Sequence, residues 1–239
     1  MKKKILIIIP AYNEEKCILD TYNSINNYIK SNKNKIDIIV INDGSKDNTE
    51  NILKENNINH IELIQNLGIG GAVQTGYKYA NMHDYDIAVQ MDGDGQHDIN
   101  YINKLIEPII KGDVNMTIGS RFIEANSKGF KSSATRRIGI KIISFFIKLF
   151  TGYKIYDPTS GFRAVDKKII KIFTNKYPTE YPEPVSEISL LKQKCKIEEV
   201  SVMMKERQGG RSSIYAWKNV YYMINVTIAM FIESIKRYK

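Results

Sequence analysis

Cysteine and histidine are both scarce in this sequence. The two cysteines, Cys17 and Cys195, are far apart, and neither belongs to a Cys-x-x-Cys pair. A disulfide framework and a paired-cysteine metal or redox motif are therefore excluded, and a reducing compartment is expected. The three histidines, His60, His83 and His97, show no metal-ligand spacing. No cysteine- or histidine-based centre is predicted.

Long apolar runs are also missing. No segment provides the roughly 18 to 20 uninterrupted apolar residues that a membrane-spanning helix requires. The apolar stretch Ile5 to Ile9 follows three lysines, but Pro10 ends it too early for a signal peptide. We interpret this stretch as a buried first strand and expect a protein that is soluble or peripheral to the membrane.

Acidic residues are fewer than basic ones in this sequence. Lysine and arginine total 35 against 26 acidic residues, which gives a net charge of +9. Such a balance favours an anionic partner. Net charge does not distinguish among nucleic acid, anionic lipid and a phosphate-rich substrate.

Short β-branched runs alternate with longer helical patterns. Strands are predicted at Ile5 to Ile9, Ile36 to Ile41, His60 to Gln65 and Ile87 to Met91. Helices are predicted between them, at Glu14 to Lys30, at Asp47 to Asn56 and through Ala80. This alternation predicts an α/β fold with a mainly parallel sheet. In such sheets ligands bind beyond the carboxyl ends of the strands, and the polar motifs of this sequence follow the strands there.

The strongest motif is Asp92-Gly-Asp-Gly-Gln-His97 at the end of an apolar strand. Carboxylates at positions i and i+2 of extended backbone point the same way and can hold Mg or Mn against a diphosphate. An EF-hand is excluded, because its sixth position would be His97 and its twelfth Asn103. The remaining alternative is a solvated Asp-Gly turn.

Three weaker motifs follow other strands. Pro10 to Glu14 offers polar groups and a ring to a nucleoside, or only a helix start. Asp43 follows the second strand and either accepts hydrogen bonds from a ribose or base or belongs to a turn. The glycine-rich segment Asn66 to Gly76 permits close backbone approach to a ligand, but Val73 replaces a glycine of the dinucleotide fingerprint, which disfavours a nicotinamide enzyme.

Seven segments in this order resemble the inverting family-2 glycosyltransferases of GT-A fold, particularly the polyprenol-phosphate sugar synthases, which include dolichol-phosphate mannose synthases. They are Pro10 to Glu14, Asn42 to Ser45, Asn66 to Gly76, Asp92 to His97, Gly119 to Phe122, Asp157 to Arg163 and Arg207 to Ser213. The resemblance covers nearly the whole chain. It implies a single Rossmann-like GT-A domain with C-terminal amphipathic helices.

The resemblance also implies residue roles. Pro10, Ala11, Tyr12, Glu14 and Asp43 would hold the nucleoside, Asp92, Asp94 and Gln96 the metal and diphosphate, and Arg207 the donor phosphates. Arg121 and either Arg136 or Arg137 would face a lipid phosphate, which suits the fork-shaped guanidinium. Asp157 would orient the acceptor or act as a base; the alternative is a carboxylate that braces its loop by pairing with Arg163.

The sequence departs from these relatives in two places. Where they usually carry a Pro-Glu-Pro-Glu run, this chain reads Pro-Glu-Pro-Val-Ser-Glu from Pro182 to Glu187, which leaves the role of Glu183 open. Many relatives also append membrane-spanning helices. We assign residues 1–213 to the glycosyltransferase domain, with a nucleotide-sugar and metal half at 1–118 and an acceptor half at 119–213, and residues 214–239 to an apolar and basic helical segment.

The segment Arg137 to Phe150 predicts an amphipathic helix. Arg137, Lys141, Ser144 and Lys148 form one polar stripe at helical spacing, with apolar residues around it. This pattern is typical of a helix at a membrane interface, and the alternative is packing on the core. The stretch Tyr215 to Ile235 is too interrupted to span a bilayer, so it lies at the interface, docks on an integral-membrane partner or completes the core.

The sequence thus predicts a metal-dependent glycosyltransferase at the cytoplasmic face of the membrane. It would move a hexose or N-acetylhexosamine from a UDP- or GDP-linked donor to an undecaprenyl-type phosphate, without nucleic acid as a partner. One alternative is a transferase of the same fold that acts on a saccharide hydroxyl, with Asp157 or Glu183 as base. The other is a non-catalytic peripheral membrane-binding subunit.

Overall fold

The computed structural model describes residues 3–31, 35–123, 134–204 and 216–238. Within these ranges the strands are β1 (Lys4–Ala11), β2 (Lys35–Asn42), β3 (His60–Glu62), β4 (Ile87–Gln90), β5 (Met116–Ser120), β6 (Arg163–Asp166) and β7 (Ile197–Ser201). The α-helices are α1 (Ile18–Ser31), α2 (Thr49–Glu55), α3 (Gly68–Met82), α4 (Ile102–Lys111), α5 (Ala134–Thr151), α6 (Lys167–Asn175), α7 (Pro182–Lys192) and α8 (Ala216–Ile235).

The seven strands form one sheet in the order β3-β2-β1-β4-β6-β5-β7. β6 is antiparallel to both of its neighbours, while the other pairs are parallel. The predicted α/β fold with a mainly parallel sheet is therefore confirmed. The internal boundary proposed at residues 118 and 119 falls within β5, so both halves contribute to the same sheet.

Helices cover both faces of the sheet. On one face α1, α2 and α4 bury their apolar sides, and on the other α3, α5, α6, α7 and α8 do so. β1 is buried from Ile5 to Ala11 because both of its faces meet a helical layer, which is typical of a central strand in a parallel sheet. The two cores together fix the edge at which β1, β2 and β4 end.

Two elements are shorter than the sequence predicts. The helix expected from Glu14 begins at Ile18, because the backbone N–H groups of Glu14 and Glu15 donate to Thr49 Oγ1 and Asp47 Oδ2. The strand expected to reach Gln65 ends at Glu62, where β3 loses its pairing with β2. At the start of α1 a loop-to-loop contact replaces the regular hydrogen bonding.

The polar stripe predicted on α5 is only partly correct. Ser144 is buried and donates its hydroxyl hydrogen to the backbone oxygen of Ile155, so it belongs to the inner face. That face buries Ile140, Ile143 and Ile147, while a second apolar strip, Ile138, Ile142, Phe145 and Leu149, is exposed. The apolar positions of α5 therefore form two strips, one that packs on the core and one that faces outward.

α8 also carries exposed apolar side chains. Val226 and Met230 are buried in the core, whereas Tyr221, Ile224, Ile228, Phe231, Ile232 and Ile235 are exposed. The rings of Phe150 and Phe231 lie 6.0 Å apart, which joins this helix to α5. In the described part of the chain, none of the helices combines the length and the apolar character that crossing a membrane demands.

Candidate active site

A cavity of about 550 Å³ opens at the carboxyl edge of β1, β2 and β4. Its lining combines residues from the strand ends with others that the chain reaches much later: Pro10, Ala11, Tyr12, Glu14, Asp43, Asn66, Gly68, Ile69, Ala72, Asp92, Gly93, Asp94, Thr159, Gly161 and Glu183. The late residues reach this edge because β6 runs antiparallel, so that the loop entering it meets the ends of the other strands. The volume suits a ligand of nucleotide-sugar size.

The first wall of the cavity consists of two loops that bind each other. The Asn13 N–H donates to Ser45 Oγ at 3.0 Å, and Lys46 N–H donates to Asn13 Oδ1 at 2.8 Å. Asn13 adopts a left-handed backbone conformation with φ 56°, which asparagine tolerates better than most residues. These contacts place Tyr12, 42% exposed, at the cavity with its ring accessible to a planar base.

Asp43 is the buried acid of this wall. It is 3% exposed, and its Oδ1 accepts a hydrogen bond from the Leu67 N–H at 2.7 Å. Burial raises the pKa of Asp43, while hydrogen bonds from the backbone of Leu67 and Gly68 oppose that rise. Its carboxylate therefore connects the end of β2 to the glycine-rich segment, as well as lining the cavity.

The glycine-rich segment has more than one task. Gly68 and Ile69 line the cavity, which agrees with close approach to a ligand. Gly70 and Gly76 instead allow packing: a Cβ at Gly70 would lie 2.4 Å from the Pro178 backbone oxygen, and one at Gly76 would lie 2.3 Å from Ile8. Much of the glycine content thus brings α3 close to its neighbours.

Asp92 and Asp94 follow β4 and both line the cavity. The Asp92 side chain is 36% exposed. The backbone N–H of Asp92 donates to His97 Nδ1 at 3.1 Å. The His97 ring stacks on Phe162 at 5.0 Å, which holds the turn against the core. Asp94 Oδ1 accepts the Gln96 N–H at 3.0 Å, and Gln96 itself does not reach the cavity lining.

The chemistry of this acid pair fits a hard divalent cation that a substrate helps to hold. Carboxylate oxygens are the ligands that Mg²⁺ and Mn²⁺ prefer, and Mg²⁺ sites often combine one or two carboxylates with substrate phosphates. Among the described residues, no cluster of three or more histidine, cysteine, aspartate or glutamate side chains could hold a metal alone. The two acids therefore suit an ion that a diphosphate completes.

Asp157 and Arg121 form a buried ion pair beside the cavity. Arg121 Nε donates to Asp157 Oδ2 at 2.7 Å and Nη2 donates to Oδ1 at 2.6 Å, while the Arg121 N–H also donates to Oδ2. The two residues are 5% and 0% exposed. The partner considered for Asp157 from sequence, Arg163, is not the one observed. The fork-shaped pairing braces the loop that leads to Thr159 and Gly161.

Arg136 and Arg137 lie in the first turn of α5, and both are exposed. They differ in their surroundings. Although Arg136 as a whole is exposed, protein atoms around its guanidinium displace water there; this desolvation and the nearby charge of Arg121 lower the pKa of Arg136, while Asp157 and Asp94 oppose the effect. Of the two candidates for a lipid phosphate, Arg136 is therefore the one that interacts electrostatically with Arg121, Asp157 and Asp94. Arg207 lies outside the described residues.

A second buried ion pair was not anticipated. Arg163 and Glu187 are both fully buried, and Arg163 Nη2 donates to Glu187 Oε1 at 2.9 Å. Burial raises the pKa of Glu187 well above its ordinary value, with Arg163 opposing the rise. One turn earlier on α7, Glu183 lines the cavity. The departure at Pro182 to Glu187 was the sequence signal for this region, but it did not indicate a partner.

Comparison with known proteins agrees with this geometry. Residues 6–173 match the family described as glycosyl transferase family 2. A UDP-N-acetylglucosamine–dolichyl-phosphate N-acetylglucosaminyltransferase of Methanococcus voltae is 38% identical over 213 residues, which cover 82% of each chain. A polyprenol monophosphomannose synthase of Mycolicibacterium smegmatis is 24% identical over 71% of this chain and 64% of its own.

Solved structures show the same fold. Glucosyl-3-phosphoglycerate synthase from Mycobacterium tuberculosis, in complex with Mn²⁺, uridine-diphosphate-glucose and phosphoglyceric acid, aligns with a TM-score of 0.74. The alignment covers 99% of this chain and 81% of that one at 15% identity. The predicted family resemblance is therefore confirmed, and the chain belongs to glycosyl transferase family 2.

Proposed function

We propose that this protein transfers a hexose or N-acetylhexosamine from a nucleoside-diphosphate sugar to a polyprenyl phosphate at a membrane surface. The observation that carries the proposal is the cavity, which brings the wall that contains Tyr12 and Asp43 together with Asp92 and Asp94 at one edge of the sheet. Arg121 lies beside it, and Arg136 belongs to the first turn of α5, the helix that carries the exposed apolar strip. The relative from Methanococcus voltae supports the same donor and acceptor classes.

The donor would lie along the strand ends. Tyr12 and Asp43 would contact the nucleoside, and Asp92 and Asp94 would hold Mg²⁺ or Mn²⁺ against the diphosphate. When bound, the cation would neutralise charge on the leaving diphosphate. Arg207 is proposed to add a second positive charge there. Gln96 is proposed to assist the metal site indirectly, because its N–H donates to Asp94 Oδ1 and so positions that carboxylate.

The acceptor needs little help from a general base. The second pKa of a phosphate monoester is about 6, so the attacking oxygen is largely ionised at neutral pH. Asp157 is fully buried, and both of its oxygens accept hydrogen bonds from Arg121. We therefore propose that Asp157 holds Arg121 in place for the acceptor phosphate, and that a single displacement inverts the anomeric carbon.

The membrane would meet the exposed sides of α5 and α8. The strip Ile138, Ile142, Phe145 and Leu149 is bordered by exposed Arg137, Lys141 and Lys148. Apolar side chains flanked by basic ones suit the interface of a bilayer with anionic headgroups. A lipid acceptor held there would present its phosphate to Arg136 at the start of α5.

The test compares two acceptors and two arginines. Purified protein with Mn²⁺ is given UDP-N-acetylglucosamine, UDP-glucose or GDP-mannose, together with undecaprenyl phosphate or undecaprenol. Transfer to the phosphate alone is expected, with a rate that rises through a pH of about 6 as the phosphate ionises. Arg136→Ala should lower acceptor use by roughly 10- to 100-fold, the scale of a charged hydrogen bond, and leave donor affinity unchanged. Arg137→Ala is the matched control.

Equal transfer to undecaprenol would refute the phosphate acceptor and restore the saccharide-hydroxyl alternative. Equal loss of donor affinity and acceptor use in Arg136→Ala would assign that arginine to the nucleotide site. No transfer from any of the three nucleotide sugars to either acceptor would refute the donor and acceptor classes together.

A further inference from the structure

Glu199 is a half-buried acid on the edge strand β7 that the function proposed above does not use. The next residue, Val200, is buried in the core that faces α1, α2 and α4. Because side chains alternate along a strand, Glu199 points to the opposite face of the sheet, where α5 lies. Burial raises the pKa of Glu199, while hydrogen bonds from the backbone of Tyr156 and Asp157 oppose that rise.

Both oxygens of Glu199 accept hydrogen bonds from the loop that follows α5. The Tyr156 N–H donates to Oε2 and the Asp157 N–H donates to Oε1, each at 2.7 Å. The two donors lie 43 and 42 residues earlier in the chain. Hydrogen bonds to a carboxylate are among the strong ones in proteins. Two of them to consecutive N–H groups fix the path of the loop and therefore the place of Asp157.

The second link joins Asp157 to Arg121. The Asp157 carboxylate accepts hydrogen bonds from Arg121 Nε at 2.7 Å, from Nη2 at 2.6 Å and from the backbone N–H at 3.0 Å. Since these three bonds hold the guanidinium against one carboxylate, a shift of Asp157 must move Arg121. Arg121 directly follows β5, and β5 pairs with β7. The acid on β7 and the arginine are thus carried by neighbouring strands.

Thr159 brings this series of contacts to the cavity. Arg121 Nη2 donates to Thr159 Oγ1 at 3.3 Å, and the Thr159 hydroxyl donates to Asp157 Oδ1 at 3.4 Å. Thr159 is also part of the cavity lining. A continuous series of hydrogen bonds therefore runs from Glu199, which does not line the cavity, to a residue that does.

We propose that Glu199 is a positioning residue for the acceptor. By binding the N–H groups of Tyr156 and Asp157, it holds the Asp157 carboxylate where that group orients Arg121 toward the acceptor phosphate. This inference rests on the proposed acceptor class. Glu199 acts through Asp157 and Arg121 rather than by contact with a substrate, so its loss affects use of the acceptor and spares the donor.

Steady-state kinetics of Glu199→Gln test this role. The amide keeps one oxygen acceptor but turns its NH₂ group toward the second backbone N–H, so one of the two bonds is lost. The donor is whichever of UDP-N-acetylglucosamine, UDP-glucose and GDP-mannose the wild-type protein uses with Mn²⁺. The KM for undecaprenyl phosphate should rise roughly 10- to 100-fold, the scale of a charged hydrogen bond or a small misplacement, and the KM for the donor should stay within about twofold.

The matched control is the neighbouring acid on the same strand. Glu198 is exposed, and the alternation of β7 places it on the other face of the sheet. Glu198→Gln changes the net charge of the protein by the same amount as Glu199→Gln. Both KM values of Glu198→Gln should equal those of the wild-type protein.

A double-mutant cycle with Arg121→Lys tests whether Glu199 acts through the arginine. Lysine keeps the positive charge but lacks the fork that Asp157 binds. If the effect passes through this pair, Glu199→Gln should raise the KM for undecaprenyl phosphate by no more than about twofold in the Arg121→Lys background. An equal rise in both backgrounds would overturn the role, because independent sites have additive effects.

Exchange of the Arg121 Nε hydrogen with solvent gives a readout that does not depend on the reaction. Its NMR signal in isotope-labelled protein is assigned by its loss in Arg121→Lys. In Glu199→Gln this hydrogen should exchange roughly tenfold faster or more, because protection falls as local opening becomes easier. If Glu199→Gln does not fold, Glu199→Asp, which keeps the charge and both oxygens on a shorter side chain, takes its place in every measurement.

The outcomes separate this inference from the proposed function. Unchanged exchange of the Arg121 hydrogen, or faster exchange with an unchanged KM for undecaprenyl phosphate, refutes the positioning role. An equal rise in the KM values for donor and acceptor also refutes it, because Glu199 would then support the cavity as a whole. If the wild-type protein transfers no sugar to undecaprenyl phosphate, the acceptor proposal fails, and the exchange measurement alone decides whether Glu199 positions Arg121.

Discussion

Two sets of acids lie at the same edge of the sheet and differ in what surrounds them. Asp92 and Asp94 line the cavity, and the Asp92 side chain is 36% exposed. Asp157 and Glu187 are fully buried, and each is paired with an arginine. The comparison teaches that the partner of an acid determines its role. Asp92 and Asp94, the open pair, face the cavity and can receive a ligand. Asp157 and Glu187, each in a closed pair with an arginine, hold the segments that shape the cavity.

The closed side of the comparison gives the largest expected effect. Glu187→Ala leaves the Arg163 charge buried and unpaired, so the free energy of unfolding should fall by about 3–5 kcal/mol. Urea denaturation followed by circular dichroism measures this loss. Replacing both partners, as Arg163→Met with Glu187→Leu, should recover much of it. A loss below about 1 kcal/mol in the single variant would show that the pair does not hold the fold.

The open side should behave in the opposite way. Asp94→Asn should reduce sugar transfer by at least about 100-fold, the scale for losing an electrostatic stabiliser, with stability nearly unchanged. Excess chelator should do the same to the wild-type protein. Asp98→Asn, which changes an acid that caps a short helix in the same loop and does not line the cavity, is the control. Normal turnover in Asp94→Asn, or in chelator, would remove the metal from the proposed mechanism.

The two faces of α5 extend the comparison to the surface, with the smallest expected effect. Phe145→Ser with Leu149→Ser removes exposed apolar side chains, so binding to anionic liposomes should weaken roughly tenfold or more, as about 1.5 kcal/mol or more of apolar contact is lost. Phe146 is less suitable, because it is half-buried and packs on Phe150. Sedimentation with liposomes measures binding.

The control for this surface is an exposed apolar residue elsewhere. Met82 ends α3 and is 78% exposed, so Met82→Ser should leave sedimentation unchanged. If the α5 double variant and Met82→Ser sediment like the wild-type protein, the exposed strip of α5 does not bind the membrane.

The sequence was sufficient where local spacing determines the geometry. The fold class followed from alternating patterns, and the position of Asp92 and Asp94 at the edge of the sheet followed from two acids at i and i+2 after an apolar strand. The pairing of Arg121 with Asp157 spans 36 residues and could not be predicted locally. The reversal of β6 also has no local signal, so the arrival of Thr159 and Gly161 at the cavity was missed.

Two buried polar residues show what the sequence interpretation overlooked. Gln90 is the one polar residue in the otherwise apolar stretch Ile87 to Met91, which was treated simply as a strand, and it is fully buried there. A polar side chain in such a strand is costly unless something satisfies it, and this could have directed attention to the residue. Ser144 is the second, since a polar residue on a helical stripe turned out to be buried.

The reversed strand β6 has a consequence for how such a protein can change over evolutionary time. Most of the cavity lining comes from the first 94 positions, whereas Thr159, Gly161 and Glu183 arrive after residue 156. Because β6 is antiparallel, these late segments enter the shared edge as separate loops, and loops tolerate replacement better than strands do. Mutations in the late segments therefore change one side of the cavity while the side built at the ends of β1, β2 and β4 is inherited unchanged.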